Sequence, residues 1–471
     1  MTSTASRQDA TIVRIDARRR VLARIEEPAA FVVMQRMFSR ELERGFRKVI
    51  AFCDSREAVE TAVRVLRGQP PFGDAVFAHH GSLARATRLA TEQRFLDAPV
   101  ALCVATSTME LGIDIGAVDL VVLLGVPPDV QSLVQRIGRG GRRREGVHVV
   151  CVANGRFRAS LFRTLLEAQR AGDWHVQGGT FRPSVIVQQA VSILQSRESK
   201  TIDAGALLRR LPEDLLPEWN ENRIRGILAH MEKKGWLEGA RGGAFGFGAK
   251  ADALWRRARL HANITSAAEI AVTDALTGVV IGSVSVVTES GLGLGGKGRR
   301  VLQNQGERII TEASKTAELG AFGGGSMKPT VRALASELLR GADIPFPVQT
   351  AVSGHVAYFH ALGTAGGNLV GEVLKRAGFE VVRAGRFAVI VTEACDDWPP
   401  PTSVERALAS KSGAIGRALD LGAWHALLPP NEQHDAVAAR CEVDAVRDFF
   451  RTPPAVTVAT DAELWTEAAW A

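Results

Sequence analysis

The chain has 471 residues, 46% hydrophobic and 23% charged, which is the make-up of a globular protein with room for roughly two to four domains. No continuous apolar run is long enough to span a bilayer, and Met1 to Asp9 is polar with no signal-peptide core, so no membrane partner and a cytoplasmic location are expected. Net charge is +7, which is compatible with a polyanionic partner without requiring one.

From about Ile12 to Gln169, short apolar runs alternate with helical stretches. Lys48 to Cys53 reads as a buried strand. Asp54, with Glu57 three residues on, reads as a carboxylate capping box opening a helix that ends near Gly68 and Pro70. Ala75 to Ala78 reads as a strand and Leu83 to Phe95 as a helix. Val100 to Val104, Leu120 to Leu124 and Val147 to Val152 read as further strands, nearly continuous in apolar residues. Such a pattern predicts an α/β fold with a parallel sheet covered on both faces, where ligands sit at the carboxyl ends of the strands. The five cysteines include no CxxC pair, so neither a zinc site nor a disulfide frame is expected. Cys53, Cys103 and Cys151 fall in the strand-like runs, where buried free thiols are ordinary.

Around Arg182-Pro183 the character changes. Val185 to Leu194, Ala204 to Leu211 and Glu218 to Lys234 read as helices, followed by a short hairpin around the glycines at 239 to 243. Helices followed by a glycine-tipped hairpin make a winged-helix pattern. Its last helix carries Arg223, Arg225, His230, Lys233 and Lys234; a solvated face accounts for these charges as well as a DNA-reading one. Beyond His261 the expectation is a mixed α+β region of one domain or two. Strands are expected over Ala271 to Val287, a helix over Lys328 to Leu339, a largely helical stretch from Val352 to Ala377, and strand pairs from Phe379 to Thr392.

Three segments suit phosphate chemistry. Thr106-Ser107-Thr108 follows a strand and presents hydroxyls and backbone N–H groups. Gly112-Ile113-Asp114 sets an acid where it suits a ribose hydroxyl. Gln135-Arg136-Ile137-Gly138-Arg139-Gly140-Gly141-Arg142, continuing into Arg143 and Arg144, repeats arginine among glycines. Guanidinium forks match phosphate oxygens, and glycine lets the backbone come close. A basic surface loop explains the last run alone, and a cap and a turn explain the other two.

Taken together, the stretch from Lys48 to Val152 resembles the second RecA-like lobe of DEAD/DEAH-box helicases of superfamily 2. Ala51 to Arg56 resembles motif IV, His79 to Leu83 the nucleic-acid loop after the next strand, Ala105 to Ile115 motif V, and Gln135 to Arg142 motif VI. The wording of motif VI, with Arg182-Pro183 and Gln188-Gln189 opening the next unit, resembles the large helicase-related (Lhr-type) branch, as does Phe359 to Thr364 with Asn368. The resemblance implies a RecA-like lobe over 12–175, a winged-helix domain over 180–262 and a mixed α+β C-terminal region over 263–471, after a flexible N-terminus at 1–11. It implies that Arg139 and Arg142 are arginine fingers, that Gln135 positions phosphate or water, and that Gly112 and Asp114 meet the nucleotide. It implies too that Arg56, Gly81, Ser82 and Thr106 hold a nucleic-acid backbone, DNA rather than RNA, while Arg136 stays structural.

Such helicases hold ATP and Mg2+ between two lobes, the first carrying the Walker motifs. The residues ahead of Ile12 are too few for that lobe, so the expectation is a helicase component whose ATP site is completed by another polypeptide. The alternatives are a non-catalytic, helicase-derived nucleic-acid scaffold and a truncated helicase. Gly291 to Gly298 imitates a phosphate loop up to Lys297, but Gly298 stands where a magnesium-binding hydroxyl belongs, so a strand turn is expected instead. Ala388 to Glu393 imitates an acidic strand end and is expected to be a core strand reaching the surface.

Overall fold

The computed structural model describes residues 21–26, 31–110, 116–141, 146–173, 181–196, 200–216, 218–251, 270–284, 291–314, 330–394, 397–409, 419 and 421–471. Gly112, Asp114, Arg142 and the segment 1–11 lie outside these residues.

The apolar runs of the first third form one six-stranded parallel sheet, ordered β1-β6-β5-β2-β4-β3. Its strands are β1 (Val21–Glu26), β2 (Lys48–Phe52), β3 (Val76–His79), β4 (Ala101–Ala105), β5 (Leu120–Leu123) and β6 (Val147–Val152). The inner strands read as unbroken apolar runs because both faces are covered, and Val49 to Phe52 and Leu120 to Leu123 are fully buried. Between the strands run α1 (Phe31–Glu43), α2 (Arg56–Leu66), α3 (Arg85–Asp97) and α4 (Val130–Ile137), and α5 (Arg156–Ala171) follows the last. The cap of α2 differs from expectation. Ser55, not Asp54, accepts the N–H of Ala58 at 3.0 Å, because the Asp54 carboxylate turns away toward Arg136, 4.0 Å from it.

Alternation along the strands sends side chains to two cores. Val49, Ala51, Leu102, Val104, Leu120 and Val122 pack with α1 and α2, and Ile50, Phe52, Cys103, Val121, Leu123 and Cys151 pack with α4 and α5. Each core is completed by residues from the last part of the chain. The first takes Val272, Val284, Leu292, Leu294 and Ile309 from a five-stranded sheet ordered β10-β9-β13-β12-β11. Its strands are β9 (Ile270–Asp274), β10 (Val280–Val284), β11 (Leu292–Leu294), β12 (Lys297–Asn304) and β13 (Arg308–Ala313). The second core takes Leu334 and Leu338 of α9 (Arg332–Gly341), Phe359 and Phe387 of another five-stranded sheet, and Trp465 of α13 (Ala462–Trp470). The expected α+β region is thus divided into two sheets that cover opposite faces of the parallel one.

That last sheet, β16-β17-β15-β14-β18, corrects the expectation of a helix from Val352 onward. β14 (Val348–Val352) and β15 (His355–Phe359) form a hairpin, and only Gly363–Arg376, α10, is helical. Ser353 and Gly354 have φ of +48° and +78°, the left-handed pair that a two-residue hairpin turn needs. The remaining strands are β16 (Val381–Ala384), β17 (Ala388–Val391) and β18 (Ala455–Val456). β17 is buried throughout, the core strand expected there. The helices α11 (Pro430–Cys441) and α12 (Val443–Phe449) pack on α10 around a third core.

Between these parts stand α6 (Ser184–Ser196), α7 (Ala204–Leu208), α8 (Glu221–Lys233) and the small hairpin β7 (Leu237–Gly239) with β8 (Phe245–Phe247), around a core of their own. Trp424 joins that core edge-on to Trp236, with ring centres 5.5 Å apart. Among the described residues, no helix is long and apolar enough to cross a membrane.

Candidate nucleic-acid and nucleotide site

The carboxyl ends of β2, β4 and β3 lie side by side and make one rim. Arg56, on the first turn of α2, donates from Nη1 to Ser82 Oγ at 2.5 Å, and its guanidinium lies over Gly81. Gly81 is exposed while Ser82 is buried beneath it. Thr106 directly follows β4 and is buried, with its N–H donating to His79 O at 3.2 Å. The structure therefore brings Arg56, Gly81, Ser82 and Thr106 together. Ser107 is the exposed hydroxyl of this edge, and half-buried Thr108 contacts His79.

His79 is locked between Thr108 Oγ1 and Glu92 Oε1, each at 2.9 Å. Burial lowers its pKa against the opposing pull of Glu92. Behind the rim lies a group that the sequence reading missed. Glu60, fully buried on α2, accepts from His80 Nε2 at 2.7 Å and from the backbone N–H groups of Gly295 and Gly296 at 2.6 Å each. These glycines form the turn between β11 and β12. The phosphate-loop imitation at 291 to 298 is thus a hairpin whose concave N–H pair is occupied by the protein's own carboxylate. Both glycines have positive φ, and a Cβ on Gly296 would collide with Val63. A Glu at 60 gave no sequence signal, since the two glycines that it holds lie more than two hundred residues away.

Over its described residues, Gln135 to Gly141, the arginine strip is half helix and half turn. Gln135, Arg136 and Ile137 end α4, and Asp129 caps its start by accepting from Ser132 N–H at 2.5 Å. Arg136 is buried, paired with buried Glu110 at 2.8 Å and stacked over Phe52, the place of a strut rather than a ligand. Arg139 is half-buried and donates from Nε and Nη2 to the carbonyl of Glu110 at 3.2 and 2.7 Å. Gln135, four residues earlier, is also half-buried. The strip's glycines have a different reason from the one expected. A Cβ on Gly140 would lie 2.9 Å from Val147, and one on Gly141 would lie 2.8 Å from the carbonyl of Gly146, so the absence of side chains lets the strip press against β6.

The segment from Thr106 to Glu110 joins the two halves. At one end Thr108 touches the His79 loop, and at the other Glu110 holds Arg136 and Arg139. Asp54 sits beside the strip, where burial raises its pKa and the nearby charges of Arg136, Arg158 and Arg386 oppose the rise. Cys53 and Cys103 are buried thiols pushed up to about 12, mainly by desolvation. Among the described residues there is no His/Cys/Asp/Glu cluster that could hold a metal.

In the unit after the sheet, the charges of α8 divide. Arg223 grips Glu432 through two bonds of 2.8 Å and stacks 3.9 Å over Trp219, so it serves the fold. Arg225 pairs with Glu221 on the same helix.

Residues 32–144 match the model of the helicase conserved C-terminal domain. Those residues hold most of the parallel sheet, the rim and the arginine strip, so this part of the chain carries that domain. Over part of its length the chain is similar to helicases of the Lhr type. It is 38% identical over 104 residues to the ATP-dependent helicase Lhr-Core protein 2 of Thermococcus barophilus, a match covering 22% of this chain and 12% of that protein. It is 49% identical over 69 residues to the Lhr helicase/uracil glycosylase of Escherichia coli, covering 15% of this chain and 4% of the relative. The matched stretches are thus a small share of the relatives' length. The fold resembles the Mycobacterium smegmatis helicase Lhr bound to ssDNA and AMP-PNP, with a TM-score of 0.57 at 15% identity over 92% of this chain and 67% of that one.

Proposed function

We propose that this chain supplies the nucleic-acid grip and the arginine fingers of an ATP-dependent DNA helicase or translocase. In this reading ATP and Mg2+ sit between the present lobe and a first RecA-like lobe, carried on another polypeptide. The observation that carries it is the shared rim: Arg56, Gly81, Ser82 and Thr106 lie at neighbouring strand ends, linked through Thr108 and Glu110 to Arg139. One short segment then touches both the nucleic-acid grip and Arg139, the arrangement a motor needs to couple hydrolysis to movement. The AMP-PNP and ssDNA named for the M. smegmatis relative, and the ATP-dependent relative in T. barophilus, support the same cofactor and partner.

Arg139, with Arg142, would stabilise charge on the γ-phosphate, Gln135 would position phosphate or water, and Gly112 and Asp114 would meet the nucleotide. The magnesium ligands would belong to the other lobe. The unit over 180–262 would be a winged helix following the lobe over 12–175, with 263–471 completing both faces. The purified chain should hydrolyse ATP negligibly, and adding a first lobe should restore turnover stimulated by nucleic acid. In that assembly Arg139→Ala should slow turnover by roughly 10³- to 10⁵-fold. Robust ATPase activity of the isolated chain refutes the shared site.

A second reading, a binding scaffold without hydrolysis, is favoured by one observation: Arg139 already spends two donors on the Glu110 carbonyl. Nucleic-acid binding that is indifferent to ATP, with any first lobe present, would select it.

A further inference from the structure

A second concentration of positive charge lies where the N-terminus of α5, the β16–β17 turn and the end of β2 meet. The rings of Phe157 and Phe387 pack edge-on with centres 5.4 Å apart, which brings their chain neighbours Arg158 and Arg386 to one place. Arg386 lies over the Phe387 ring at 4.8 Å. Its Nη1 reaches Thr330 Oγ1 only at 3.4 Å, and its buried Nε has no hydrogen-bond partner. Burial lowers its pKa to about 10; Asp54 supplies the opposing attraction, while Arg158 and Arg383 add repulsion. Asp54 in turn faces Arg136, Arg158 and Arg386, and Arg136 is already answered by Glu110. Among the described residues, Asp54 is thus the carboxylate that Arg386 senses, against two further guanidiniums. A half-satisfied, half-buried cation beside like charges is costly unless an anion joins it.

We propose that Arg158, Arg383 and Arg386 form a second phosphate seat, on which the backbone of a single nucleic-acid strand continues after leaving the Arg56–Ser82 rim. The proposal rests on the nucleic-acid reading of that rim. Asp54 borders both places, since Ser55 and Arg56 follow it directly at the start of α2. Arg158 and Arg383 are exposed, so the seat is an open strip that suits a polymer better than a small anion enclosed on all sides. Guanidiniums at a strip of this kind grip phosphates without reading bases.

The test uses the full chain and dye-labelled oligothymidylates of increasing length, with anisotropy read across a salt series. The variant is Arg158→Gln/Arg383→Gln, at two exposed positions whose change spares the cores. Long oligonucleotides should bind the variant more weakly, with the slope of log K against log salt shallower by about 1.4, two single-strand phosphate contacts at about 0.7 each. Oligonucleotides too short to leave the rim should bind as to the unaltered protein. An unchanged slope at every length overturns the seat. Arg56→Gln tests the rim separately: it should weaken short and long strands alike. If Arg56→Gln has no effect while the double variant still loses long strands, the rim reading fails and the seat stands. If inorganic phosphate stabilises the unaltered protein but not the variant, with no dependence on strand length, the occupant is a small anion and the proposal of a strand path is overturned.

Discussion

Glu60→Ala is the sharpest perturbation the structure offers. The carboxylate is fully buried and satisfies one imidazole N–H and two peptide N–H groups, at 2.7, 2.6 and 2.6 Å. Its removal strands three donors, each costing about 1–3 kcal/mol when left unpaired and buried. The Gly295-Gly296 turn can swing toward water, which trims the loss, so the expected cost is about 3–5 kcal/mol, as for other broken buried pairs. Glu60→Gln keeps one acceptor oxygen but aims an amide NH2 at another donor, and should cost about 1–3 kcal/mol. Because the sheet faces two cores, hydrogen exchange resolves the effect better than a single melting curve. Amides at 292–298 and 80–83 should exchange roughly a hundredfold faster in Glu60→Ala, the equivalent of about 3 kcal/mol. Should Glu60→Ala fail to fold, Glu60→Gln gives the same reading at smaller amplitude. Unchanged protection of both segments refutes the reasoning, because it would mean that Glu60 does not tie the rim loop to the second sheet.

Arg223→Ala should destabilise the α6–α8 unit by about 3 kcal/mol, since it leaves buried Glu432 unpaired and bares Trp219; urea unfolding followed by tryptophan fluorescence would read it. His360 is buried, with Nδ1 accepting the Leu362 N–H at 2.9 Å, and desolvation lowers its pKa to about 3 from an ordinary 6.5. Its contribution is therefore complete above pH 6.5 and is lost at about 1.4 kcal/mol per pH unit as pH falls toward 3. His360→Gln should flatten that part of the pH–stability curve. Cys103, Cys151 and Cys441, pushed up to about 12 by burial, should resist alkylation at pH 8 until the protein is unfolded. Rapid labelling of the native protein would contradict their placement.

Legibility in the sequence followed the range of the forces. The parallel strands were readable because full burial makes them continuous apolar runs; Val147 to Val152 was found at its observed bounds. The rim was readable because its residues sit within a few positions of strand ends. The clamp of Glu60 on Gly295 and Gly296 was not, since it joins positions 235 residues apart and the glycines resembled a phosphate loop. The β14–β15 hairpin was missed because its signal lies in Ser353 and Gly354 adopting positive φ, not in hydrophobic spacing. Asp54 was given the cap of α2 on local grounds, and the arginines across the sheet edge drew it elsewhere. Where Arg142 and Asp114 stand, the motif alone speaks.

The C-terminal helix α13 reaches back to the parallel sheet. Glu467 accepts the Phe157 N–H at 3.0 Å, Asp461 pairs with Arg156, and Trp465 is buried against Phe359. Its role has an evolutionary side. A gene fragment encoding only the parallel sheet would give a protein with two bare apolar faces, prone to aggregate. The stretches on either side of the α6–α8 unit must therefore be inherited together. Recombination that trades the parallel-sheet lobe between relatives would have to carry the far end of the chain with it.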